Sequence, residues 1–192
     1  EKYKMASAGN AGLYPVFKDV TEKNWLTISG IGRVHAAAAT MYLHHVSQAE
    51  PWALWINVGI AGAKRGDYGS LFLVDKITER STGHTFYPRP LISSPVGRSS
   101  LVTVDTPETN YRSEDLFDME ASAFFNIACR LSCQQLVMVF KIVSDGPNFD
   151  IRELTPEKIY NLVSSNVDEI SNMIFEMTPF MERERKRLTV PI

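Results

Sequence analysis

The sequence predicts an α/β fold with helices on both faces of a β-sheet, and three observations predict it. Apolar runs alternate with helical segments along the chain. Two of those runs, Trp52 to Val58 and Leu136 to Val143, are nearly continuous in apolar residues, as strands buried on both faces are. The chain has 192 residues, 44% of them hydrophobic, enough to bury a single core. One domain is expected over 1–192, since no repeat, low-complexity stretch or linker divides it.

Each element has a local reason. Val16-Phe17 and Trp25-Leu26-Thr27-Ile28 read as short strands, rich in β-branched and aromatic residues. Arg33 to Ser47 is rich in alanine, the strongest helix former, and follows Gly30-Ile31-Gly32. The run from Trp52 is expected to end at Val58, where Gly59-Ile60-Ala61-Gly62 follows. Ser70 to Ile77 is a further strand, with Leu71-Phe72-Leu73-Val74 at its heart. Ser81 to Asn110 holds Pro88, Pro90, Pro95 and Pro107 and reads as loop, broken by a strand over Ser100 to Val104. Met119 to Leu131 reads as a helix with Ala121, Phe124, Phe125 and Ala128 on one face.

The C-terminal helix is the clearest element. Thr155 is its N-cap, Pro156 suits its first position and Glu157 faces the positive end of its dipole. Ile159, Leu162, Val163, Val167, Ile170, Met173, Ile174 and Met177 follow at helical spacing. Pro179 breaks or restarts the helix, and Glu182 to Arg187 reads as a solvated helical end.

Charge and cysteine content narrow the function. Twenty basic and 22 acidic residues leave a net charge of −2, which gives no general attraction to nucleic acid or anionic lipid. No apolar run approaches the ~18 residues of a membrane helix. The opening Glu1-Lys2-Tyr3-Lys4 has no signal-peptide pattern. Cys129 and Cys133 lie four residues apart and read as two small apolar side chains in a reducing compartment, so a cytoplasmic location is expected. His44 and His45 point about 100° apart on a helix, wrong for one metal ion. No metal site and no cofactor are implied.

Ligands of open α/β sheets sit outside the carboxyl ends of strands. Three segments place glycine or acid there. Gly30 and Gly32 stand between a strand and a helix, where a ligand can approach backbone N–H groups; a tight turn explains them equally well. Gly59 to Gly62 also fits a turn. The third is a pair of acidic ends: Asp118-Met119-Glu120 precedes a helix, and Ser144-Asp145-Gly146 follows an apolar strand. Carboxylates there can bind a diol or donate a proton, or can cap a helix and close a turn.

Taken in order, five segments resemble the purine nucleoside phosphorylase and nucleosidase superfamily. They are TISGIGRVHAAAAT from Thr27, INVGIAGA from Ile56, GDYGSLFLVDKI from Gly66, DMEASAFFNIA from Asp118 and FKIVSDGPN from Phe140. The resemblance implies a three-layer αβα sandwich around a central mixed, twisted β-sheet, and a homodimer, as is the habit of the family. It also implies roles. Glu120 accepts hydrogen bonds from the ribose 2′- and 3′-hydroxyls, and Met119 packs beneath the sugar. Asp145 protonates or hydrogen-bonds N7 of the purine, and Ser144 orients the base or the carboxylate. Asp118 and Gly30 border the substrate, and Ala61 and Gly62 line the base pocket through backbone atoms. The substrate implied is a small-molecule purine nucleoside, not a nucleic acid polymer or a membrane.

Family phosphorylases resemble one another in an arginine that grips phosphate in the second motif. This chain has Asn57 there, as do the methylthioadenosine/S-adenosylhomocysteine nucleosidases, and asparagine cannot supply that charge. Hydrolysis is therefore expected. The alternatives are a phosphorylase that uses Arg33 for phosphate and a nucleoside-binding relative without catalysis. Three departures from the family pattern stand out. Ile60 replaces the usual serine, which makes the sugar pocket more apolar. The segment from Leu101 to Asp118 is short, leaving Tyr111 and Phe86 as the candidates to stack on the base. Nothing in Lys2 to Tyr14 matches the family's opening strand, whose glutamate activates water, so the domain is expected to lack its first strand and helix.

Overall fold

A computed structural model describes residues 4–8, 12–113 and 115–189. Residues 1–3, read above for a leader pattern, lie outside the described residues. Three short strands, β1 (Ala6–Ser7), β2 (Val16–Lys18) and β3 (Trp25–Thr27), form their own antiparallel sheet. The Asp19 side chain closes the β2–β3 turn, accepting from Thr21, Lys23 and Asn24. Helix α1 (Arg33–Ser47) follows. Then come β4 (Trp55–Ala63), β5 (Leu71–Glu79), β6 (Thr85–Phe86), β7 (Gly97–Thr103) and β8 (Leu116–Asp118). Helix α2 (Ala121–Leu131), strand β9 (Val137–Asp145), and helices α3 (Pro156–Glu176) and α4 (Thr178–Thr189) complete the chain.

The main sheet is mixed, in the order β6-β5-β7-β8-β4-β9. β4 runs parallel to β9, β5 to β7 and β7 to β8, while β4 and β8 are antiparallel. β9 also pairs antiparallel with β5, through Leu71 opposite Ile142 and Leu73 opposite Phe140. Five strands therefore close a circuit, with β6 attached to the free part of the β5 edge. The expected α/β class and central mixed sheet are present, and β5 bridges β7 and β9.

β9 explains where the core lies. All nine of its residues are buried. Val137, Val139 and Val143 face a cluster with Trp55, Leu101, Phe124 and Phe125 of β4, β7 and α2. Met138, Phe140 and Ile142 face Leu162, Ile170 and Met173 of α3. The apolar run thus met the two-sided burial that its composition predicts. Thr155 caps α3, accepting from the Lys158 N–H, and Pro156 is the first helical residue. Pro179 restarts the helix as α4, where Glu182 pairs with Arg185 and Glu184 with Arg187.

Several boundaries move. β4 does not end at Val58 but runs through the glycines to Ala63, and β9 includes Ser144 and Asp145. β7 begins at Gly97 rather than Ser100, and α2 at Ala121 rather than Met119. Cys129 and Cys133 are unpaired and partly buried, and burial pushes the Cys129 thiol up to about 11. No described helix is long and apolar enough to cross a membrane.

Candidate active site

The last residue of β9 is the centre of the candidate site. Asp145 is 4% exposed. Its Oδ1 accepts a 2.6 Å hydrogen bond from the Ser144 hydroxyl, and its Oδ2 accepts one of 2.6 Å from the Tyr111 hydroxyl. Ser144 also lies 3.3 Å from the Ala61 carbonyl oxygen, which ties the pair to β4. Gly62 lies opposite Asp145 in the parallel ladder. A Cβ at Gly62 would come within 2.6 Å of Asp145 Oδ2 and 2.9 Å of Tyr111 Cε1. The glycine is thus the gap into which the carboxylate and the phenol fit.

Tyr111 arrives from the loop between β7 and β8. It has a left-handed backbone, φ 43°, and is buried against Val104, Phe117 and Met119. Burial and the neighbouring Asp145 carboxylate push its hydroxyl well above the ordinary range, so it stays a donor. Glu108 steadies the loop, accepting from the Thr109 and Asn110 N–H groups and pairing with Arg80 at 2.8 Å. The backbone bonds and Arg80 hold the Glu108 carboxyl below its usual range.

The start of α2 supplies the second half. Glu120 is its N-cap residue, and its Oε1 accepts a 2.7 Å hydrogen bond from the Gly32 N–H at the start of α1. Gly32 has φ 100°, a backbone state that side-chain-bearing residues avoid. The strand–turn–helix glycines and the Asp118-Met119-Glu120 segment therefore meet, 88 residues apart in sequence. Met119 packs in the cluster that holds Tyr111. Met119 thus links Glu120, its neighbour in sequence, to the residue seated on Asp145.

Three expectations change. Asp118, expected to border the substrate, is a buried ion-pair partner instead: its side chain is wholly buried and its oxygens are engaged. They accept from Thr103 Oγ1 and the Ala121 N–H, each at 2.8 Å, and pair with Lys141 Nζ at 2.8 Å. The side chain of Ile60 joins the cluster facing α3, because strand alternation turns it away from the Ala61 face. Phe86 stacks in the core against Phe125, at 5.8 Å, rather than on a base. Gly30 has φ 77° in the β3–α1 turn, with nothing within 4 Å of the position a Cβ would take.

Arg33 is engaged on both sides. Its guanidinium pairs with Glu79 and with Asp105, each at 2.6 Å, and both partners favour its charged form despite partial burial. Glu79 also accepts from Ser122 and Thr82. Lys141 is visible in the sequence as the one charge in an apolar strand but has no role there, and its side chain is 1% exposed. The signal that finds it is the strand-centre lysine opposite Gly59 in β4. Among the described residues no group of three or more His, Cys, Asp or Glu is placed to hold a metal ion. Two surface clefts, of about 240 and 450 Å³, are lined by none of the site residues.

These features define a mixed-sheet α/β protein with a buried Ser-Asp pair at a strand end and a glutamate where two helices start. Its fold is that of the 5′-methylthioadenosine/S-adenosylhomocysteine nucleosidases. The structure from Colwellia psychrerythraea in complex with adenine matches with TM-score 0.60 and 18% identity, over 91% of this chain and 85% of that one. The Arabidopsis thaliana 5′-methylthioadenosine nucleosidase in apo form matches with TM-score 0.62 and 16% identity, over 94% and 88%. The S. pneumoniae enzyme with the transition-state inhibitor MT-ImmA matches with TM-score 0.65 and 17% identity, over 88% and 89%. No protein-family model and no curated protein sequence matches the chain.

Proposed function

We propose that the protein is a nucleosidase that hydrolyses the N-glycosidic bond of a purine nucleoside, in the manner of methylthioadenosine or S-adenosylhomocysteine cleavage. The observation that carries this reading is the buried Asp145, oriented by Ser144 and Tyr111 in the gap left by Gly62. In this reading Asp145 relays a proton from solvent to N7, so the purine leaves as a neutral base, and the water that adds to the sugar returns a proton to solvent. The sugar becomes cationic, and fixed carboxylates nearby stabilise that charge. A carboxylate has about four acceptor sites. Glu120 uses two on the Gly32 and Met119 N–H groups, which leaves two for a cis-diol. Met119 packs beneath the ribose, and the Ala61 and Gly62 backbone borders the base.

Water rather than phosphate is the acceptor in this reading, supported by the engagement of Arg33 with Glu79 and Asp105. Incubation with methylthioadenosine, S-adenosylhomocysteine, adenosine and inosine, with and without phosphate, tests it. Free base released without phosphate is the expected result; strict phosphate dependence contradicts it. A cytoplasmic homodimer completes the proposal. Ile28, Ile31 and Val34, exposed on the turn into α1, offer the apolar surface for a second copy. A monomeric mass by light scattering at micromolar concentration contradicts that part.

A further inference from the structure

The strongest unused feature is the buried ion pair of Lys141 and Asp118. The two side chains are 1% and 0% exposed and meet at 2.8 Å. Such a pair is weak support for stability, because desolvation offsets much of its attraction. Its partners show what else it does. Asp118 also accepts from the Ala121 N–H, and Thr103, which donates to Asp118, accepts from the Ser122 N–H at 3.0 Å. The first two amides of α2 are thus held by this cluster, and Glu120 is the residue immediately before them. Gly59 makes the lysine possible, since a Cβ there would stand 3.0 Å from Nζ.

We propose that Lys141 is a positioning residue for Glu120: it neutralises Asp118, whose ionised side chain caps α2 and so sets where Glu120 meets a ribose. The proposal rests on reading Glu120 as the ribose anchor. Without Lys141, Asp118 is a buried carboxylate with no counter-charge, and it turns toward water to recover its lost solvation. The Ala121 amide or the Thr103 hydroxyl then loses its partner, and the helix start that carries Glu120 loosens. Lys141 touches no ligand in this scheme, and a neutral residue at 118 that still accepts a hydrogen bond makes it dispensable.

The test compares kcat/KM for adenosine and 2′-deoxyadenosine, with adenine affinity measured by calorimetry, in wild type, Lys141→Met and Lys141→Met/Asp118→Asn. The wild type prefers the ribonucleoside by about tenfold or more, the loss expected when one hydrogen bond to a carboxylate is missing. Lys141→Met reduces that preference to within about threefold, with adenine affinity changed by less than about twofold. The double variant regains the wild-type preference, because the amide oxygen that Asp118→Asn introduces needs no counter-charge. A folded Lys141→Met protein with full ribose preference overturns the proposal, as does a folded double variant that lacks it. If the single variant does not fold, the double variant decides alone. Gly59→Ala, which presses on Nζ with both charged residues in place, supports the proposal by a lower ribose preference and counts against it by an unchanged one. A wild type that binds adenine but shows no ribose preference removes Glu120 as the anchor, a failure distinct from that of Lys141.

Discussion

The Tyr111 hydroxyl donates a 2.6 Å hydrogen bond to Oδ2 of Asp145. In the proposed reading that oxygen is the one that meets purine N7, so the loop carrying the phenol yields when a base binds. Tyr111→Phe removes that competition while keeping the ring against Phe117 and Met119. A hydrogen bond to a charged group is worth about 1.5–3 kcal/mol. Adenine is expected to bind roughly tenfold more tightly to the variant. Equal or weaker binding by calorimetry means that the phenol stays on Asp145 in the complex.

The same phenol gives an alkaline signature. Its folded value lies above the ordinary 10.0, first through burial and then through Asp145. Stabilisation from such a group is present below pH 10.0 and is lost as pH rises beyond it, where the unfolded chain releases the proton first. Urea unfolding from pH 8 to 11, on the order of half-unit steps, is expected to show a steeper loss for wild type than for Tyr111→Phe. Parallel curves refute the assignment.

Gly62→Ala places a methyl group in the space of Asp145 Oδ2 and Tyr111 Cε1. Overpacking of this kind costs about 1–3 kcal/mol. The variant is expected to unfold at lower urea and to lose kcat, because the carboxylate must move. Unchanged values of both show that the site has room to spare.

Glu120→Gln keeps an oxygen for the Gly32 N–H but loses the second acceptor that a diol needs. KM for a ribonucleoside is expected to rise about tenfold, with adenine affinity and thermal midpoint held. A parallel fall in all three makes Glu120 a helix tie only.

Arg33→Gln breaks two partly exposed ion pairs, for which a loss of about 1–2 kcal/mol is expected after allowance for solvent. Burial raises the Glu79 carboxyl, but hydrogen bonds from Thr82, Arg33 and Ser122 hold it below its ordinary 4.5. Its stabilisation is therefore present above pH 4.5 and lost as pH falls below it. The stability gap between wild type and variant is expected to narrow in acid, and base release without phosphate to persist. Loss of activity that phosphate restores supports phosphorolysis instead.

Legibility in the sequence followed physical regularity. β9 was readable because both its faces are buried, and α3 because Thr155, Pro156 and an apolar stripe mark it. The carboxyl end of β4 was misread, since glycine ordinarily ends a strand. Here Gly59 and Gly62 stay in the strand because Lys141, Asp145 and Tyr111 fill the space their side chains would take. Strand β8, three residues long, has no period to detect. Asp145 and Glu120 became candidates by their place beside strand and helix ends, and took their proposed roles from the family resemblance. Asp118 looked the same from sequence, and only its partner Lys141, 23 positions away, separates a structural carboxylate from a free one. The Tyr111 bond spans 34 residues and a loop without pattern, which leaves no local signal.

Everything proposed for the site depends on Asp145 being the acid of an N-glycosidase. Adenine release from methylthioadenosine in phosphate-free buffer, by wild type and Asp145→Asn, tests this, with folding checked by circular dichroism. The amide still accepts from Ser144 or Tyr111 but has no acidic proton to give. A fall of about 10²–10⁴ in kcat, with the fold intact, is the predicted result. Equal rates for the two proteins, or no adenine from wild type, contradict it.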